Sequence, residues 1–101
     1  MLMPILKLFG MTFEWHDDKF ALVHTQRGIT LEEAASVFFD DYYIEKEDFG
    51  EYDEQRMLTI GMSEKGRLLV VVWTQRDDMI RVITAFFPTK HQEKEYVNAR
   101  Y

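Results

Sequence analysis

A chain of 101 residues that is 47% hydrophobic and 15% aromatic can bury one core and leaves no room for a second domain of ordinary size, so residues 1–101 are expected to form one domain. It contains no cysteine, which excludes a disulfide framework, a thiolate zinc site and a thiol nucleophile, and fits a reducing compartment. The net charge of −6 argues against a nucleic-acid partner only if the acids are evenly spread; residues 40–54 hold eight acids and one lysine, leaving ten acids and eleven bases elsewhere.

The first ten residues, MLMPILKLFG, are apolar but too short to span a bilayer, and they lack the layout of a secretory signal, so a cytoplasmic protein with no membrane partner is expected. Pro4 and Gly10 bracket this run, which reads equally as an edge strand or as an arm outside the domain proper. Thr12 to Trp15 alternates polar and aromatic residues as a short strand. Asp17 and Asp18 then suit the first turn of a helix and Gly28 its end, although the consecutive Phe20, Ala21, Leu22 and Val23 would also fit a buried strand. Thr30-Leu31-Glu32-Glu33 is a capping box, in which the threonine hydroxyl meets the backbone N–H of Glu33 and the glutamate reaches back, with Ile29 and Ala34 at staple positions. A second helix over 31–39 follows, burying Leu31, Ala34, Ala35 and Phe38. Residues 42–45 suggest a short strand and residues 46–55 an acidic loop.

The remainder is richer in strand signals. RMLTIGM at 56–62 reads as a strand, and residues 67–75 and 80–87 form a hairpin of β-branched and aromatic residues around Arg76, Asp77, Asp78 and Met79. Strict alternation puts Leu68, Val70, Val72 and Thr74 on one side of the first arm, and Ile80, Val82, Thr84 and Phe86 together on the second, leaving Arg81 in a row with Ile83, Ala85 and Phe87. Thr89-Lys90-His91-Gln92 is a second capping box that opens a C-terminal helix carrying Tyr96. The class is therefore α+β: a small antiparallel sheet, two N-terminal helices and one C-terminal helix, the helices covering one face and leaving the other available.

His16, His24 and His91 are too scattered for a ligand motif, so neither a metal nor another cofactor is expected. Asp77-Asp78 belongs to a turn. Trp73 is either core or, beside arginines, a platform for a base.

Phe13-Glu14-Trp15, Lys19, Gly28, Glu32-Glu33-Ala34, Val37-Phe38, Asp40, Arg56, Ile60-Gly61, the run from Gly66 to Val72, Thr74, Arg76, Ile80-Arg81-Val82-Ile83, Ala85 and Tyr96 together resemble the BrnT toxin family over about residues 12–97, within a domain of 11–97. The resemblance implies a RelE-like fold, a ribonuclease that inhibits translation, and a BrnA-like antitoxin partner, with a homodimer inside the complex as a further expectation. It also carries departures. The family's Asn and Lys-His-Gly at the end of the first helix fall on Val23 and on Gln26, Arg27 and Gly28, its Ser-Ala-Arg on Thr84, Ala85 and Phe86, and the glutamate of its final helix on Gln92. The positions that remain imply Arg56 and Arg81 on phosphate, Lys19 on phosphate or in proton transfer, and Tyr96 in positioning or proton donation. Arg27, Arg67, Arg76 and Trp73 are the expected RNA contacts. The alternative expectation is a catalytically impaired relative that survives as a binding module, pairing with an antitoxin-like protein or itself.

Overall fold

The computed structural model describes residues 3–50 and 54–99. The elements are β1 (Ile5–Leu8), β2 (Met11–Trp15), α1 (Asp17–Arg27), α2 (Leu31–Ser36) with a 3₁₀ turn at Val37–Phe39, β3 (Ile44–Asp48), β4 (Arg56–Met62), β5 (Leu68–Arg76), β6 (Met79–Phe86) and α3 (Lys90–Ala99). This is the α+β class read from the sequence. The apolar N-terminal run is an edge strand, and Gly28, at φ 69°, ends α1 in the left-handed conformation that a side chain resists. Both halves of the second capping box form, Gln92 N–H on Thr89 Oγ1 at 3.2 Å and Thr89 N–H on Gln92 Oε1 at 2.9 Å.

The sheet is larger than expected and not wholly antiparallel. Its six strands run in the order β1-β2-β6-β5-β4-β3, and β2 pairs parallel to β6 through Phe13↔Ile80, Glu14↔Arg81 and Trp15↔Val82. Parallel neighbours need a long crossover; here α1, α2 and β3 to β5 provide it. The expected acidic loop begins instead as β3, which pairs with β4 over Ile44↔Ile60 to Asp48↔Arg56. Glu51 and Asp53 of the acidic run lie outside the described residues.

Two layers of packing flank the sheet. Leu69, Val71, Ile80, Val82, Ala85 and Phe13 pack against Phe20 and Val23 of α1 and against Leu31, Ala34, Ala35, Val37 and Phe38. On the opposite face Ile60 and Val70 pack against Tyr96 of α3. That face is thus partly covered, a correction to the expectation that all helices lie on one side. Gly61 permits the close approach of the 3₁₀ turn, since a Cβ there would stand 2.8 Å from Val37 Cγ1.

Strict alternation also fails once, on β6. Trp73 faces Val82 and Val72 faces Thr84, so Ile83 is an extra residue, a β-bulge. Beyond it the side-chain rows exchange: Ala85 joins the core with Ile80 and Val82, while Thr84 and Phe86 share the face of Arg81.

The first capping box forms only in half. Thr30 Oγ1 accepts from Glu33 N–H at 3.1 Å, but the fully buried Glu33 carboxylate turns away from the helix end. It pairs with the Arg67 guanidinium through Nε at 2.9 Å and through Nη2, and accepts from the Ser63 hydroxyl at 2.7 Å. Arg67 Nη2 also donates to Gly28 O at 2.9 Å, so one ion pair ties the start of α2, the end of α1 and the β4–β5 turn. The Arg67 hydrogen bond holds the Glu33 carboxyl below the usual carboxylate range, against burial, which pushes it up. A folded-state pKa below the unfolded one contributes stability that is complete above the unfolded value and is lost as pH falls through the folded value. Glu33→Gln should therefore lower the melting temperature at pH 7, by a cost of about 1–3 kcal/mol for disrupting these buried bonds, and flatten the acid side of the stability curve. Thermal melts across the acid range check this; a variant that follows the native curve would show that the pair adds nothing.

Candidate active site

The parallel ladder between β2 and β6 delivers the first charged pair of the site. Glu14 and Arg81 are register partners, and Arg81 Nε donates to Glu14 Oε2 at 2.7 Å. Glu14 is only 6% exposed, which gives the pair a fixed anchor beneath a half-buried arginine. With Nε held this way, the terminal amino groups of the guanidinium are left for a ligand. Arg81 stands beside Thr74 of β5, and continuing the β4–β5 register by one residue sets Arg56 on the other side of Thr74. Asp48 of β3 closes the row beyond Arg56.

The end of β2 passes into α1 next to this row. His16 caps the helix, its Nδ1 accepting from Lys19 N–H at 3.4 Å, and Lys19 lies in the first turn. Together His16, Lys19, Glu54, Arg56 and Arg81 line a cleft of about 160 Å³, with Met3, Val82 and the bulged Ile83 as its apolar lining. Arg56 Nε lies 3.7 Å from Glu54 Oε1. Three cations in a small space repel one another, and the Glu14 and Glu54 carboxylates offset that repulsion. A site of this composition is built to accept an anion: two arginines present planar donors, a lysine adds a point charge, and a carboxylate stands within reach as a proton acceptor.

The structure brings Lys19, Arg56 and Arg81 into one cleft, and places the other expected residues elsewhere. Tyr96 is buried under α3, where its hydroxyl donates to Asp40 Oδ2 at 2.6 Å; the same oxygen accepts from Met62 N–H at 2.8 Å. Arg76 ends β5 on the same face as Arg81, one row nearer the hairpin tip. Arg27 reaches from the last turn of α1 to Thr84 Oγ1 at 3.3 Å and Ala85 O at 3.1 Å, along the same strand. Arg67 and Trp73 belong to the opposite face: Arg67 serves Glu33, and Trp73 packs edge-on against Phe38 while its indole N–H donates to Thr59 Oγ1 at 2.7 Å. Sequence reasoning gave none of His16, Glu14 and Glu54 a role in the site: His16 was weighed only as one of three scattered histidines, and Glu14 stood only within the matching Phe13-Glu14-Trp15. Only Glu14 carried a local signal, as an acid in a strand adjoining aromatic residues.

Among the described residues no group of three or more His, Asp or Glu side chains gathers to hold a metal ion, and no helix is long and apolar enough to cross a membrane. A family model described as "Ribonuclease toxin, BrnT, of type II toxin-antitoxin system" matches residues 15–91, a span that includes His16, Lys19, Arg56 and Arg81 and stops short of Tyr96. No curated protein matches the chain.

The placement of Tyr96 has a measurable consequence. Tyr96→Phe removes a part-buried hydrogen bond to a carboxylate, and should destabilise the fold by about 1.5–3 kcal/mol without altering ligand binding in the cleft. A denaturant melt and an anion titration check the two halves; a Tyr96→Phe protein of native stability that no longer binds would put the hydroxyl in the site.

Proposed function

The chain belongs to the BrnT family, ribonuclease toxins of type II toxin-antitoxin systems, and from that premise we propose that the cleft between α1, β4 and β6 cleaves RNA without a metal ion, inhibits translation by doing so, and is held in check by an antitoxin partner. The observation that supports this most is the meeting of Lys19, Arg56 and Arg81 in one cleft, although they come from three elements far apart in the chain.

RNA carries its own nucleophile. The 2′-oxygen attacks the adjacent phosphorus, the bond from phosphorus to the 5′-oxygen breaks, and the products are a 2′,3′-cyclic phosphate and a 5′-hydroxyl. One proton must leave the 2′-hydroxyl and one must reach the departing 5′-oxygen, while charge gathers on the phosphoryl oxygens in between. In our assignment Arg56 and Arg81 neutralise those oxygens, and Glu14 sets the angle of the Arg81 guanidinium. Glu54 accepts the 2′-hydroxyl proton and the Lys19 ammonium supplies one to the leaving oxygen. Arg76, on the face of Arg81, and Arg27, reaching β6 from the last turn of α1, contact neighbouring phosphates. Tyr96 acts on the fold by anchoring α3, and Arg67 and Trp73 support the opposite face.

Arg56→Ala or Arg81→Ala should reduce RNA cleavage by about 10²- to 10³-fold, the usual loss for one donor to developing charge, with an unchanged circular dichroism spectrum. Growth arrest on expression without a partner is the sensitive readout. A native protein that arrests nothing and cuts no RNA, with or without ribosomes, would overturn the enzymatic reading and leave a module that binds its antitoxin.

A further inference from the structure

Among the polar side chains lining the cleft, the imidazole of His16 has no part in the assignment above. It follows directly on Trp15, the last β2 residue paired with β6, and lines the same cleft as Lys19, Glu54, Arg56 and Arg81. Its ring is oriented by the helix it caps, because Nδ1 accepts the Lys19 backbone N–H. A ring nitrogen that accepts a hydrogen bond carries no proton, so the neutral ring has its proton on Nε2. What His16 can offer the cleft is therefore an N–H donor.

The choice of cap points the same way. Helix N-caps are ordinarily Ser, Thr, Asp or Asn, which hold the first-turn N–H groups with a short oxygen-bearing side chain. Histidine caps with a longer, weaker contact. An aspartate in this place would cap better but would add a second carboxylate to the cleft beside Glu54, against any phosphate entering among Lys19, Arg56 and Arg81. Histidine caps through Nδ1 without that charge and keeps a second polar atom, Nε2, on a side chain that lines the cleft.

We propose that His16 is a catalytic residue of the cleft, its Nε2–H bonding a non-bridging oxygen of the scissile phosphodiester and strengthening as charge builds there in the transition state. No proton leaves the ring in this role. The inference rests on the reading of the cleft as the RNA site, and the test separates the two.

The full chain, labelled with ¹⁵N, is titrated with a short single-stranded RNA bearing 2′-O-methyl groups, which binds but cannot be cleaved. The ring spectrum of His16 should show the Nε2–H tautomer, and its Nε2 signal should move on binding, whereas His91, exposed on α3, stays still. His16→Asn, which keeps an oxygen cap and lacks the reach of the ring, should hold or raise the melting temperature and lower kcat about 10²-fold. If the Lys19 and Arg81 signals move and that of His16 does not, or if His16→Asn cleaves as the native protein does, His16 is only a cap and the RNA cleft stands without it. If none of these signals moves, both readings fall.

Discussion

Three rungs of parallel pairing between β2 and β6 decide where the cleft can lie. Phe13, Glu14 and Trp15 meet Ile80, Arg81 and Val82 across 67 residues of sequence. Bringing residues so far apart in the chain together costs loop-closure entropy, which the burial of Phe13 and Val82 offsets. The ladder is held from below: Phe13 and Val82 are almost fully buried, and Phe20 of α1 packs into the same cluster. It sets Glu14 against Arg81, and it aims the exit of β2 so that the first turn of α1 stands over β6. His16 and Lys19 arrive at the cleft by this route alone.

A partition of cations between the two faces follows. On the face of α1 and α2, Arg67 is committed to Glu33, and the bond locks the helix pair to the β4–β5 turn. On the other face Lys46 is committed to Glu95 of α3, at 2.9 Å. Arg56, Arg81 and Arg76 are set along the sheet on that second face, where the bulge at Ile83 adds Thr84 to their row, while Lys19 meets them in the cleft from α1 and Arg27 reaches Thr84 from the same helix. Acids collect instead at the far edge, where Glu45 and Glu47 are exposed on β3. Charged side chains on an edge strand discourage a further strand from adding to the sheet.

Features that depend on neighbours in sequence were legible, and those that depend on partners across the fold were not. The strand Arg56–Met62 was read with its true bounds and the hairpin to within one residue, because β-branched runs and the polar turn report on local geometry. β3 was missed from Lys46 onward: IEKED has no strand pattern of its own and is a strand because β4 offers it an edge. The parallel pairing and the bulge leave no local trace, and the missed bulge put Thr84 and Phe86 on the wrong side of β6. Within the site, Lys19, Arg56 and Arg81 were named from family resemblance, and the structure brings them together. Arg67 and Tyr96 looked equally available, since nothing nearby in sequence shows that Glu33 and Asp40 engage them. His16 drew attention only as one of three scattered histidines, and its place beside Lys19, Arg56 and Arg81 appears only once β2 is paired.

RNA phosphate is proposed to bind in the cleft between α1, β4 and β6, built on the Glu14–Arg81 rung. The salt dependence of binding measures this directly, because each phosphate contact on a single strand contributes about 0.7 to the slope of log affinity against log salt. With a fluorescent 2′-O-methyl RNA, Arg81→Ala should lower that slope by about 0.7, and Lys65→Ala, in the exposed β4–β5 turn, should leave it unchanged. Equal slopes for the native protein and Arg81→Ala would show that RNA phosphate does not bind at Arg81.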